Sequence, residues 1–268
     1  MKKNIIYTLL ILCFIWGLIR LERTCFKRGG CFFHHMFLTH LPYDPRWDLP
    51  PVSPEILDIL TTQKFHFLKK GAAMAAFVSE DGQYVIKFHC YPSALRLLPW
   101  IKPHKDRNRH LAKRNRCFLN YKNVYTDLGT ESALLAMHLN PTDTIKKNIT
   151  LVDKRGILLS FPLDTLSFVV QRKATRLFNA IDDLLLKGQI EEARNVIKSV
   201  KALVANDYKK GYIDNDPILY RNYGVLEGQA MHIDIGDLTK TENDPAGLHH
   251  YLEEVLSPLK TRYPDLFR

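Results

Sequence analysis

The chain has 268 residues, of which 46% are hydrophobic and 25% charged, an ordinary globular balance that allows one two-lobed domain or two small ones. Its formal net charge is +10. No zinc-finger spacing, helix-turn-helix or aromatic stacking motif accompanies the basic residues, which argues against specific nucleic-acid binding. The cysteine count is five, and no Cys-x-x-Cys pair occurs, so a disulfide framework is not expected.

Residues 1–21 are interpreted as an uncleaved membrane anchor. Lys2 and Lys3 precede an almost purely apolar run, Ile5 to Leu21, which is close to the low limit of about 17 residues for a membrane-spanning helix. No small-x-small cleavage site follows the run, which favours its retention. The basic residues after the run predict a single-pass membrane protein whose C-terminal domain is cytoplasmic.

Residues 22–63 are predicted to form a connector. Prolines from Pro42 onward exclude a continuous helix through its second half. A short helix, Glu55 to Leu60, is expected after Ser53-Pro54, because serine caps helices and proline is favoured in the first turn.

Residues 64–89 have the pattern of a three-strand meander. Apolar residues alternate within the strands, and Glu80-Asp81-Gly82 is a hairpin-turn signal. A loop of mostly small residues that starts at Gly71 joins the first two strands. Lys87 lies in the third strand, where a lysine is otherwise most often a solvent-facing residue.

Residues 91–138 are predicted to be mostly helical, with prolines interrupting the first part. From Lys105 to Leu128, apolar positions recur among basic residues, so one face should pack while the other is solvated or contacts membrane phosphates. A second helix is expected from Thr130 to Leu139, with Glu131 near its start. Two further strands are expected between Asn148 and Ala174.

Two amphipathic helices are predicted next, Arg176 to Leu186 and Ile190 to Lys209. Gly211 is expected to end the second helix as a C-terminal cap. A β-hairpin should follow, with Tyr-Gly-Val-Leu as its first strand, a turn at Glu227-Gly228, and Ala-Met-His-Ile-Asp-Ile as its second strand.

Four polar residues between Gly211 and Leu238 carry the strongest functional signal: Asp214, Asp216, Asn222 and Asp234. Asp234 lies between two isoleucines in what is predicted to be a buried strand, where a carboxylate is costly without a partner. The hairpin would bring Asn222 beside it. Amide and carboxylate oxygens are ligands that suit Mg²⁺.

This stretch resembles the catalytic loop and metal-binding segment of the protein-kinase-like fold, in which an Asp and an Asn precede a hairpin that ends in Asp-x-Gly. The similarity extends from Lys64 to Leu238. It implies an α+β protein of two lobes after the N-terminal transmembrane helix. Residues 64–174 would be a small lobe with a five-strand antiparallel sheet, and residues 175–268 a reduced helical lobe.

The resemblance implies ATP and Mg²⁺ as cofactors, with a nucleotide site in the small lobe. Lys87 would hold nucleotide phosphates, with Gly71 in the loop above them. Glu131, or else Asp127, would pair with Lys87.

In the same resemblance, Asn222 and Asp234 would hold Mg²⁺ opposite Lys87. The histidine that usually precedes the catalytic Asp is absent, and the spacing to Asn222 differs from the usual one. The general base is therefore either Asp216 or Asp214.

The sequence thus predicts a membrane-tethered phosphotransferase that uses Mg-ATP. The stretch after Asp234 has no Ala-Pro-Glu segment, which favours a small-molecule, sugar or lipid hydroxyl as acceptor over a protein. The alternatives are a catalytically inactive kinase-like scaffold, a membrane-anchored interaction protein, and nonspecific nucleic-acid binding through residues 102–122.

Overall fold

A computed structural model of the protein describes residues 2–28, 37, 42–71, 73–90, 104–242 and 244–267. The helices are α1 (Lys2–Arg28), α2 (Pro54–Thr62), α3 (His104–Asp127), α4 (Leu177–Leu186), α5 (Ile190–Lys209), α6 (Leu219–Asn222) and α7 (Leu248–Arg262). The strands are β1 (Lys64–Lys70), β2 (Met74–Ser79), β3 (Tyr84–His89), β4 (Leu134–His138), β5 (Asn148–Val152), β6 (Leu158–Pro162), β7 (Phe168–Arg172), β8 (Thr175–Arg176), β9 (Tyr212–Asp214), β10 (Tyr223–Leu226), β11 (Gln229–His232) and β12 (Leu238–Lys240).

The chain folds into two compact units, each made of two separate stretches. The first unit comprises Met1–Leu111 and Met137–Val169, and the second comprises Ala112–Ala136 and Val170–Arg268. The chain therefore passes from one unit to the other within α3, β4 and β7.

Helix α1 covers the predicted anchor and exposes a set of large apolar side chains. These are Ile5, Ile6, Tyr7, Leu9, Leu10, Ile11, Leu12, Phe14, Ile15, Trp16, Leu18 and Leu21. Within the ranges that the structure describes, no helix combines the length and the apolar character needed to cross a membrane. The transmembrane helix predicted here is thus not supported. In the predicted connector, residues 29–36 and 38–41 lie outside the described residues, and α2 forms as expected.

The sheet of the first unit has the strand order β4-β7-β3-β2-β1-β5-β6. The predicted meander of β1, β2 and β3 is confirmed, with antiparallel pairing throughout. The prediction of a purely antiparallel five-strand sheet is wrong, because β1 also pairs with β5 in parallel, Phe65 opposite Leu151. A parallel neighbour requires a long crossover, and the whole segment from β2 to β4 supplies it.

Aromatic rings form much of the core of the first unit. Phe37 lies 5.8 Å from Phe77 and 5.5 Å from both Phe88 and Phe161, measured between ring centroids. All four side chains are fully buried. Burial of such rings is the main stabilising contribution to this sheet.

The helix predicted from Thr130 to Leu139 is wrong. A short 3-10 turn, Gly129–Ser132, is followed by strand β4. Gly129 and Ala133 have φ angles of 27° and 51°, a left-handed conformation that no continuous helix allows. The run Leu-Leu-Ala-Met-His is short and apolar, and such a run does not distinguish strand from helix by periodicity.

The second unit is built on the predicted helix pair, now α4 and α5, together with α7. Their apolar faces share one buried cluster that includes Ile181, Val200 and Leu256. Gly211 ends α5 with a φ of 82°, as expected for a C-terminal cap. The chain then enters β9, the short helix α6 and the β10–β11 hairpin, which carry the candidate site.

Candidate functional site

The β10–β11 hairpin brings Asn222 and Asp234 next to each other. Its turn is Glu227-Gly228, whose φ angles of 53° and 77° are those of a type I′ turn. Beyond the paired strands, the backbone carbonyl of Asn222 accepts the N–H groups of Ile233 at 2.8 Å and Asp234 at 3.2 Å. The main chain thus fixes the two predicted metal ligands relative to each other.

Asp234 does not lie in a buried strand, and that prediction is wrong. Strand β11 ends at His232, and Asp234 is exposed in the loop that follows. The hydrogen-bond ladder between β10 and β11 ends here, because the Asn222 carbonyl accepts hydrogen bonds from the N–H groups of both Ile233 and Asp234. Ile235 turns into the core, whereas the carboxylate keeps its contact with water.

Two side-chain oxygens at this junction accept no strong hydrogen bond. The buried Asn222 donates its Nδ2 to the carbonyl of Asp216 at 2.6 Å, and no described residue donates to its Oδ1. Asp234 Oδ1 accepts the N–H of Gly236 at a long 3.4 Å, and its Oδ2 has no donor in the described chain. One amide oxygen and one carboxylate oxygen left open in this way fit Mg²⁺.

Asn222 and Asp234 alone supply few oxygens, so they fit a Mg²⁺ ion whose coordination is completed by a bound ligand. Within the described residues, no group of three or more His, Cys, Asp or Glu side chains could hold a metal ion. Mg²⁺ is commonly bound by one or two protein oxygens, with phosphate oxygens and water completing the coordination. Asn222 and Asp234 are therefore the residues that would hold it.

The two candidate bases have different surroundings. Asp214 is buried at the end of β9, where its Oδ1 accepts the N–H of Asp216 at 3.0 Å and its Oδ2 accepts the Tyr223 hydroxyl at 3.2 Å. Burial raises the pKa of the Asp214 carboxyl, although these hydrogen bonds and the nearby His232 partly oppose that effect. Asp216 is half-buried, and its carboxylate accepts no hydrogen bond from the described residues. Asp216 is thus the one with open carboxylate oxygens.

A buried pair beside the site, Asp207 and His232, was missed by the sequence analysis. His232 Nε2 lies 2.6 Å from Asp207 Oδ2, and the two side chains are 1% and 4% exposed. Within the described chain, His232 Nδ1 and Asp207 Oδ1 have no hydrogen-bond partner. The signal was present, because His232 lies in an apolar run and Asp207 follows the apolar Leu203 and Val204 at helical spacing, on a face where a polar side chain needs a partner.

Helix α3 packs against the loop that carries Asp234. Asn120 donates its Nδ2 to the carbonyl of Gly236 at 2.9 Å. Tyr121 is buried beside the same loop, and burial together with the Asp234 carboxylate holds the pKa of its hydroxyl well above the usual range. The apolar face predicted for this basic helix is therefore confirmed, and it faces the candidate site.

The nucleotide-binding candidates Lys87 and Gly71 belong to the first unit. Lys87 is half-buried in β3, opposite Ala76 of β2. The backbone N–H of Gly71 donates to the Met74 carbonyl at 2.8 Å, so this N–H is already used within the loop. Residue 72, in the same loop, lies outside the described residues.

Glu131 and Asp127, the candidate partners of Lys87, both contact lysines of the second unit. Glu131 accepts the Lys210 ammonium at 2.8 Å, and Asp127 accepts the Lys240 ammonium at 2.5 Å. These contacts hold the pKa values of both carboxyls below their usual range, with Lys240 the largest influence on Asp127. Burial of Glu131 opposes the effect there. The pairing of Lys87 with Glu131 stays a prediction.

No family model and no curated protein matches this chain. Solved structures do match. The bifunctional kinase-methyltransferase WbdD is 20% identical, with a TM-score of 0.39 over 70% of this chain and 34% of that one. Rv3197 of Mycobacterium tuberculosis, solved with erythromycin, is 14% identical, with a TM-score of 0.37 over 78% and 54%. The kinase domain of a Toxoplasma gondii rhoptry antigen is 14% identical, with a TM-score of 0.35 over 65% and 49%.

This chain spans between about a third and about half of those solved chains. Its own elements follow the order that the sequence resemblance requires: a strand meander with Lys87, helix α3, further strands, the α4–α5 pair, an Asp-containing loop and a hairpin that ends in Asp234-Ile235-Gly236. The chain therefore has an α+β architecture, with a sheet in the first unit and a helical cluster in the second.

Proposed function

We propose that this protein is a kinase-like phosphotransferase that uses Mg-ATP. The observation that carries the proposal is the junction of Asn222 and Asp234, where one main-chain carbonyl fixes both residues while their side-chain oxygens stay open. An amide and a carboxylate oxygen would hold Mg²⁺, which bridges nucleotide phosphates and neutralises their developing charge. Phosphoryl transfer needs mainly such positioning and charge stabilisation.

Asp216 is proposed as the residue that orients the acceptor hydroxyl and takes its proton. Its carboxylate is open, and its carbonyl is held by the Asn222 amide at 2.6 Å, so the base and the metal ligand are coupled. Asp214 is proposed to stabilise the loop that carries Asp216, because both of its carboxylate oxygens already accept hydrogen bonds from the protein. Lys87 of the first unit is proposed to hold the phosphates, as the sequence pattern indicates.

The acceptor is proposed to be the hydroxyl of a small molecule, a sugar or a lipid. This part of the proposal rests on the sequence resemblance alone, in which residues 235–268 carry no Ala-Pro-Glu element. Membrane association through the exposed apolar side chains of α1, with the remainder on the cytoplasmic side, belongs to the same proposal. Flotation of the full-length protein with liposomes, with and without residues 1–21, tests that association.

Ligand-induced thermal stabilisation tests the metal site. Mg-ATP should raise the melting temperature of the full-length protein by mass action, and Asp234→Asn should remove most of that rise. Asp237→Asn is the matched control, because Asp237 is an exposed carboxylate of the same loop whose side chain makes no hydrogen bond to a described residue. Equal stabilisation of all three proteins by Mg-ATP would reject Asp234 as a ligand.

Turnover then separates the two bases. Asp216→Asn should lower phosphate release or transfer by roughly 100-fold or more, as expected for a lost general base, while stabilisation by Mg-ATP persists. Asp214→Asn should lower turnover less. The reverse ranking would transfer the role to Asp214.

A catalytically inactive, nucleotide-binding scaffold is the second candidate. The observation in its favour is the Gly71 N–H, which is bound to Met74 rather than open to a phosphate. Stabilisation of the wild-type protein by Mg-ATP without any phosphate transfer or release would select this candidate. Absence of any response to Mg-ATP would instead favour an interaction protein.

A further inference from the structure

Asn120 makes an unusual set of contacts for a buried side chain on a long basic helix. It is 3% exposed, so its amide has no access to water. Its Nδ2 donates to the carbonyl of Gly236 at 2.9 Å and approaches the Thr239 hydroxyl oxygen at 3.4 Å. Both acceptors belong to the segment that follows Asp234, more than a hundred residues further along the chain.

The same threonine is also bound from the other side of the site. Asn215 donates its Nδ2 to the Thr239 hydroxyl oxygen at 2.9 Å and to the Asp237 carbonyl at 3.1 Å. Its backbone N–H donates to the Asp237 carbonyl at 3.1 Å as well. Asn215 stands between Asp214 and Asp216, so the Asp-containing loop and the Asp234 loop share one hydrogen-bond network.

Gly236 shows how closely helix and carboxylate are linked. A Cβ atom at this glycine would lie 3.6 Å from Asp234 Oδ1 and 3.8 Å from Cys117 Sγ of α3. The N–H of Gly236 itself donates to Asp234 Oδ1 at 3.4 Å, so the residue whose carbonyl Asn120 binds also contacts the Asp234 carboxylate.

We propose that Asn120 is a positioning residue that, through Thr239 and Asn215, keeps Asp234 in register with Asp216. The network of Asn120, Asn215 and Thr239 is called the amide clasp. It touches no reacting atom. The effect of the amide clasp on Mg²⁺ affinity rests on the function proposed above. The coupling that the clasp provides between the Asp216 loop and the Asp234 loop does not.

Three variants of the full-length protein test the clasp. Asn120→Asp keeps the shape of the side chain but replaces the donor with a carboxylate oxygen facing the Gly236 carbonyl. Thr239→Val keeps the shape of the threonine but removes the shared hydroxyl, and it serves if Asn120→Asp does not fold. Asn123→Asp is the matched control, since it makes the same change on the same helix at a side chain without a described hydrogen bond.

The first measurement is hydrogen exchange of backbone amides without any ligand. Asn120→Asp and Thr239→Val should raise exchange in both residues 234–239 and residues 214–216, while Asn123→Asp leaves both unchanged. Faster exchange in only one of the two segments, or in neither, would contradict the proposal that the amide clasp couples the two loops.

The second measurement is a Mg²⁺ titration at fixed ATP, followed by melting temperature. The two clasp variants should need about 10-fold more Mg²⁺, as is typical when outer-shell partners of a metal ligand are lost, with ATP binding in excess EDTA unchanged. Unchanged Mg²⁺ dependence overturns the positioning role. If the wild-type protein itself shows no response to Mg-ATP, the proposed function fails, and the exchange data alone then decide whether Asn120 couples the loops.

Discussion

The sheet of the first unit and the loops around Asp234 in the second unit are stabilised in different ways. The sheet buries apolar rings such as Phe77 and Phe88, whose contacts are non-directional and scale with area. The elements around these loops instead bury polar side chains, Asp207 in α5, Asp214 at the end of β9 and Asn222 at the end of α6, which are tolerable only with specific hydrogen bonds. The buried rings need only the exclusion of water and close packing, whereas the buried polar groups also need particular partners at hydrogen-bond distance, as a chemical site requires.

The largest effect should come from the sheet. Phe77→Ala is expected to lower the free energy of unfolding by about 3–5 kcal/mol, because a fully buried ring is removed and a cavity remains. Urea-induced unfolding measures it. Leu68→Ala, at a half-exposed position of the neighbouring strand, is the control and should change stability by no more than about 0.5 kcal/mol. Equal losses would mean that ring burial does not dominate this sheet.

The turns of the two regions should respond differently to the same substitution. Gly228 has a φ of 77° and open space around its missing Cβ, so Gly228→Ala introduces only backbone strain, about 1–2 kcal/mol. Gly71 lies outside the left-handed region, and a Cβ there would make an ordinary 3.5 Å contact with the Met74 carbonyl. Gly71→Ala should therefore cost nothing. Thermal unfolding of both variants measures the loss of stability. A larger loss for Gly71→Ala than for Gly228→Ala would contradict the expectation.

The smallest effect should be a pH trend at Asp214. Burial raises its pKa in the folded protein, so its contribution to stability is present below the unfolded pKa and is lost as pH rises through the folded pKa. Asp214→Asn removes this titration, so the variant should gain stability relative to the wild type over the range above about pH 4, the ordinary pKa of an Asp carboxyl. Denaturant unfolding across this range measures the difference, with Asp237→Asn as the exposed control. A difference that shrinks with rising pH would contradict burial as the dominant influence.

Local signals in the sequence predicted much of the fold. The meander of β1 to β3, the helices α4 and α5, and the β10–β11 turn at Glu227-Gly228 all follow from short-range periodicity and turn chemistry. The adjacency of Asn222 and Asp234 followed from that turn, because the register of a hairpin is set by its loop.

The remaining features depend on partners far apart in the chain. Nothing local marks β5 as the parallel neighbour of β1, and the run that forms β4 is too short for its period to be read. The exposure of Asp234 was missed because the strand ladder ends at a carbonyl twelve residues earlier, that of Asn222. Asn120 could not be found from its own surroundings, because both of its acceptors lie beyond Asp234.

The parallel pairing of β1 with β5 also has a consequence for synthesis on the ribosome. Residues Lys64 to His66 pair with Thr150 to Val152, so this edge of β1 has no partner until the later segment has emerged. At usual translation rates the delay is on the order of 10 s. Because each unit consists of two separate stretches, no single cut yields both units complete. During that delay the edge of β1 can pair with the same edge of another nascent chain, and this makes it the point where misassembly on polysomes should begin.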